Sequence, residues 1–152
     1  MKLININSIT NKSKIEILPY KTDGKKVFVN YFSDGVQAGF PSPADDFKEL
    51  PLSLDEKFLS KPESTYLVRV KSDSMEPTLL ENDILIVRSD LPIDHDKIVI
   101  ASLNSDAFTV KRFLKREQNI LSPDNKKYQP IEIGDEDTVL YLGQVVSLVR
   151  EF

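Results

Sequence analysis

Three residues in this chain stand out by context as candidates for covalent or proton-transfer chemistry: Ser74, within VKSDSMEPTLLENDILIV (70–87); His95; and Lys111, within SDAFTVKRFLKR (105–116). A serine hydroxyl is a weak nucleophile, so Ser74 needs a general base within hydrogen-bond reach and donors that stabilise an oxyanion. His95, the one histidine, lies between Asp94 and Asp96 in LPIDHDKIV, which reads as a turn. A Ser-His-Asp triad built on it is conceivable, but an exposed turn histidine is the better reading. Three adjacent ligands in a turn do not converge on an ion, so no metal is assigned to residues 94–96. An ordinary lysine, with a pKa of about 10.4, leaves about one amine in two thousand neutral at pH 7, and only burial can make it a useful base. Strand alternation puts Thr109, Lys111 and Phe113 on one face, with Phe108, Val110, Arg112 and Leu114 on the other. On these residues alone, a solvated lysine on an edge strand is the commoner outcome.

The elements that must position these side chains are short. From Thr65 onward the runs TYLVRV, DILIV, KIVIASL, AFTVKRFL, NIL and TVLYLGQVVSLVREF recur between turn residues, rich in Val and Ile and without a long helical period. This pattern predicts a mainly β domain rather than βαβ units. Upstream, residues 14–32 hold two β-prone runs around Thr22-Asp23-Gly24 and read as an extended arm. Between Ser33 and Phe47, Gly35, Gly39, Pro41 and Pro43 prevent regular structure and predict an exposed linker. DDFKELPLSLDEKFLS (45–60) has apolar spacing for one or two helical turns, broken at Pro51.

The 152 residues suffice for one compact domain and an arm. Without cysteine there is no disulfide framework, thiolate metal site or cysteine nucleophile. A net charge of −4 argues against a nucleic-acid surface dominating the chain, since phosphate binding needs clustered Lys and Arg. No window approaches the ~18 apolar residues of a membrane span, and MKLININSITNKSK has no apolar signal core, so a soluble cytoplasmic protein is expected.

The block Ser72-Asp73-Ser74-Met75-Glu76-Pro77-Thr78-Leu79, then Glu81-Asn82-Asp83-Ile84-Leu85-Ile86-Val87, then Phe108-Thr109-Val110-Lys111-Arg112, resembles the self-cleaving Ser-Lys peptidases of the LexA/UmuD family. The resemblance runs from about Val27 to the C-terminus. It implies a small β-rich peptidase fold in which Ser74 is the nucleophile and Lys111 its base, with backbone N–H groups around Asp73 and Ser74 as oxyanion donors. Residues 36–44, VQAGFPSPA, resemble the family's cleavage region, with Ala38-Gly39 as the scissile bond. The implied organisation is an arm of residues 1–38 removed by self-cleavage, a linker of 39–63, and a peptidase and dimerisation domain of 64–152.

Within the family, a UmuD-like role is implied rather than a repressor's, because the 38 residues before Gly39 show no helical period for a DNA reader. The implied partners are a second copy, the RecA filament on single-stranded DNA as activator, and a UmuC-type translesion polymerase, with no cofactor, no membrane and no sequence-specific DNA binding. Ser72 stands where the family often has glycine. Three other readings stay open at this point: a signal peptidase, whose Ser-Met box is similar but which needs an anchor; a LexA-like regulator lacking its own DNA-binding domain; and a dimeric interaction module that does not cleave.

Overall fold

A computed structural model describes residues 14–19, 24–29 and 52–152. They fall into two compact units, one of residues 14–19 with 63–152 and a smaller one of 24–29 with 52–62. In the smaller unit, strand β2 (Phe28–Val29) pairs antiparallel with β3 (Leu52–Ser53), and a short helix α1 (Leu54–Phe58) follows. Ser53 caps α1, its Oγ facing the Glu56 N–H at 3.5 Å, a common use of serine at a helix start.

The larger unit is built on one eight-stranded antiparallel sheet. Its strands are β1 (Ile15–Leu18), β4 (Thr65–Val70), β5 (Ile84–Arg88), β6 (Lys97–Leu103), β7 (Thr109–Leu114), β8 (Ile120–Ser122), β9 (Ile131–Glu132) and β10 (Val139–Val149). The spatial order is β1-β4-β5-β10-β6-β7-β8-β9, so the last strand is inserted at the centre between β5 and β6. The expectation of a mainly β protein made of short strands holds.

Strands that read as unbroken apolar runs are those covered on both faces, as a doubly packed strand requires. In β6, Ile100 joins one core cluster while Val99 and Ala101 join another. In β7, Val110 goes with the first and Phe113 with the second. The first cluster also holds Ile15, Val68, Val70, Leu85, Val87, Leu142 and two residues from the loop after β4, Met75 and Leu79. That loop is therefore part of the core packing although it contains no strand.

β6 and β7 form a hairpin whose turn carries Asn104 and Ser105 at φ of 52° and 62°. The hairpin register sets Val99 opposite Lys111 and Lys97 opposite Phe113.

Candidate active site

Ser74 reaches its position through its neighbours. Met75 and Leu79 are 1% and 2% exposed, and the Met75 carbonyl accepts from the Leu79 N–H at 3.0 Å. The Asp73 carbonyl accepts from the Glu76 N–H at 3.1 Å, closing a turn over the serine. Two apolar anchors and a turn thus hold Ser74 at 2% exposure next to β7. The Ser-Met pair is an anchor beside a hydroxyl that the anchor immobilises.

Lys111 comes from β7 and is 6% exposed. Its Nζ donates to Ser74 Oγ at 3.0 Å, to Thr109 Oγ1 at 2.7 Å and to the Val110 carbonyl at 2.9 Å. Thr109 is on the same strand face, two residues away, as alternation requires. Three acceptors suit an ammonium group. They also suit the neutral amine, which keeps two N–H donors for Thr109 and Val110 and turns its lone pair to the Ser74 hydroxyl. Passing from the first arrangement to the second takes the loss of one proton from the amine and the reversal of one hydrogen bond.

Burial, and to a lesser degree the positive charge of Lys14, press the Lys111 pKa down to about 8. Lys14, Ser74, Phe108, Thr109, Lys111 and Tyr128 line one cleft of about 230 Å3. Lys14→Ala is expected to raise the Lys111 midpoint, because it removes a like charge that disfavours the ammonium. Titration of isotope-labelled lysine followed by NMR measures this directly, and an unchanged midpoint would show that burial alone sets it.

The Asp94-His95-Asp96 turn contributes nothing to this cleft. His95 is exposed and its Nδ1 accepts from the Lys115 N–H at 3.1 Å, while Asp96 accepts from Arg112 at 3.2 Å. Ser74 Oγ instead contacts Lys111 and, at 3.3 Å, Ser72 Oγ. Among the described residues no group of three or more acidic, histidine or cysteine side chains could hold a metal ion. Ala38 and Gly39 lie outside the described residues.

A family model described as Peptidase S24-like matches residues 30–146, most of the chain. The chain belongs to the S24-like peptidases. It is 34% identical to protein MucA of Salmonella typhimurium over 135 residues, spanning 88% of this chain and 92% of MucA. It is similar to protein ImpA of Salmonella typhimurium, with 43% identity over 94 residues, or 60% of this chain and 63% of ImpA. A LexA repressor from Caldicellulosiruptor saccharolyticus is 41% identical over 90 residues, 58% of this chain and 43% of the repressor. These matches place the S24-like chain in the LexA/UmuD family that its motifs resembled.

This S24-like site also has parts that the motifs did not contain. Asn125 Nδ2 donates to the Asp73 carbonyl at 2.9 Å, and the Asn125 N–H donates to the Ser74 carbonyl at 3.1 Å. Tyr128 Oη donates to Asp73 Oδ1, and the same bond holds the Asp73 carboxyl below, and the Tyr128 phenol above, their usual ranges. The turn between β8 and β9 therefore grips the Asp73-Ser74 dipeptide at three points. In a trans peptide the N–H points opposite to its C=O, so Asn125, by fixing the Asp73 carbonyl, also fixes the Ser74 N–H. That N–H is one of the expected oxyanion donors. Only the residues Asn125 and Tyr128 in a polar turn, SPDNKKYQP, were visible in the sequence, and such residues are ordinary in turns.

The grip is itself braced. Asp124 accepts two bonds from Arg112, at 2.9 and 2.7 Å, and one from Thr78 Oγ1, joining β7, the serine loop and the β8–β9 turn. Asp83 is 2% exposed; it accepts the Leu80 N–H at 2.8 Å and a bidentate pair from Arg150 at 2.7 and 2.6 Å, which closes the other end of the serine loop.

Proposed function

We propose that this chain is a self-processing serine peptidase in which Ser74 cuts the Ala38-Gly39 bond of the chain itself, with Lys111 as general base and acid. The observation that carries the reading is a buried lysine amine 3.0 Å from a buried serine hydroxyl. Neutral Lys111 takes the Ser74 proton as Oγ attacks the Ala38 carbonyl, then delivers it to the departing Gly39 nitrogen. Water hydrolyses the resulting ester and restores Ser74. The developing oxyanion is received by the backbone N–H groups at Asp73 and Ser74.

Ala38 and Gly39 suit a narrow cleft, and Gly39 tolerates backbone angles that other residues avoid. Tethering gives the bond a high effective concentration without tight binding, so control lies in whether the linker docks. The RecA filament on single-stranded DNA would act by favouring the docked state, a population shift that adds no catalytic group. The product, residues 39–152, would serve as a homodimeric accessory of a UmuC-type translesion polymerase in the SOS response, in the cytoplasm. Similarity to MucA and ImpA across most or much of this chain supports the UmuD-type role. No helix among the described residues is long and apolar enough to cross a membrane.

Mass spectrometry of the purified chain, alone and with RecA, ATP and single-stranded DNA, tests the reading. The expected result is a single new break between Ala38 and Gly39 that is absent in Ser74→Ala. A chain that stays whole under all of these conditions would reject it.

A further inference from the structure

The reaction proposed above would remove a strand of the catalytic sheet. β1 precedes the Ala38-Gly39 bond in sequence, yet it is the edge strand beside β4. Ile15 is 2% exposed, and both Ile15 and Ile17 pack on the cluster that contains Val68, Val70 and Met75. The pairing runs from Ile15 opposite Val70 to Leu18 opposite Leu67, and the Lys71 N–H donates to the Lys14 carbonyl at 3.1 Å. On the other face of the strand, the Glu16 carboxylate lies 3.3 Å from both Arg69 Nε and Lys71 Nζ. The seat on β4 therefore selects for a backbone in extended form, apolar residues two apart and a carboxylate between them.

We propose that self-cleavage opens this seat, and that the β4 edge of the processed chain then receives an extended apolar-acidic-apolar segment of a partner protein. This inference rests on the self-cleavage reading. While the chain is whole, β1 is tethered and occupies the seat at an effective concentration of about millimolar. Once cut, it competes only at its concentration in solution, and a four-residue strand then has little hold. Its departure leaves a row of β4 backbone groups, a hollow where Ile15 lay, and two cations, Arg69 and Lys71, that have lost their carboxylate. An open sheet edge is a template for strand addition, with alternate side chains setting specificity. Processing in this way would turn a filled position into a recognition site without refolding the sheet.

Hydrogen exchange at the Lys71 amide reads the state of the seat. In the intact Ser74→Ala chain this amide should be protected, and after self-cleavage of the wild-type chain it should exchange at least about tenfold faster. A synthetic peptide of residues 11–20, NKSKIEILPY, at about millimolar concentration should restore protection. The same peptide with Glu16→Lys should not.

Ile15→Asp in the Ser74→Ala chain provides a route that needs no cleavage, since it should detach β1 from an otherwise whole protein and produce the same fast exchange and peptide rescue. Four results would overturn the proposal: retained protection with the 1–38 fragment still bound; protection that rises with the concentration of processed protein alone, which would give the seat to a second copy; equal rescue by the Glu16→Lys peptide; and no peptide rescue in either the processed or the Ile15→Asp protein. Absence of cleavage with a positive Ile15→Asp result would reject the self-cleavage reading while leaving the strand seat standing.

Discussion

Raising the pH from 6 to 8 is expected to speed self-cleavage of the wild-type chain about fiftyfold, with the rate levelling off above about pH 9. The rate should follow the neutral fraction of Lys111, whose pKa lies at about 8 because burial disfavours its charge. At pH 7 roughly a tenth of the molecules hold the neutral amine, against only about four or five in ten thousand for an ordinary lysine. Lys111→Met should abolish cleavage at every pH. A rate that climbs tenfold per pH unit through pH 10 would mean that the base is not depressed, and a flat rate between pH 6 and 8 would mean that Lys111 is not the base.

The same group should leave a mark on stability with a definite sign. Below about pH 8 the folded and unfolded chains both bind the Lys111 proton, and the folded state bears the full cost of burying the charge. Between about 8 and 10.5 the unfolded chain still holds a proton that the folded chain has released, so stability rises with pH across that window. Thermal unfolding of Lys111→Met should therefore show a higher midpoint than wild type near pH 6, with an advantage that shrinks toward pH 10. Such a trade of stability for a reactive amine is a recurrent property of catalytic lysines.

Asn125→Leu is expected to slow cleavage by about a hundredfold at all pH values while leaving the pH midpoint in place. The substitution roughly keeps the size of the side chain, adds no charge and removes the amide donor that faces the Asp73 carbonyl. The Ser74 N–H, on the same peptide unit, then loses its fixed direction toward the oxyanion. Asn125 touches no reacting atom, so it is a positioning residue, and the pH profile separates that role from a general loosening. Loosening would admit water to Lys111 and raise its midpoint, whereas a misdirected N–H lowers the rate in parallel across the profile. Tyr128→Phe, which removes only the bond to the Asp73 carboxyl, should cost less. A rate for Asn125→Leu within threefold of wild type, or a raised midpoint, would remove Asn125 from the machinery.

What could be read from the residues themselves depended on how local the determinant was. The runs TYLVRV and KIVIASL are β4 and β6 to the residue, because their apolar content and flanking turns are local facts. The insertion of β10 between β5 and β6 was not legible, since strand order is settled by non-local pairing and the last run could have joined either edge. Lys111 alone looked like a solvated edge lysine. It is buried because β8 lies on its outer side and the serine loop packs nearby, and neither fact is encoded within SDAFTVKRFLKR. Asn125 acts through a backbone carbonyl 52 residues away, a relation that leaves no trace in residue type or spacing. The β-prone run at Ile15–Leu18 was visible as a strand, but its pairing with β4 was not.

The register of the β6–β7 hairpin bears on how this site tolerates change. Lys111 stands opposite Val99 because the turn through Asn104 and Ser105 has the length it has. Loss or gain of one residue there would slide either Val110 or Arg112 into that place and turn the strand's faces over. Valine has no proton to exchange, and arginine, which stays charged across the whole working pH range, never gives up its own. A length change in a solvent-facing turn would thus silence the proposed chemistry as completely as deleting the lysine, whereas a substitution that keeps the length leaves the register as it is. In lineages of this chain, the length of the turn should be kept more strictly than its residues.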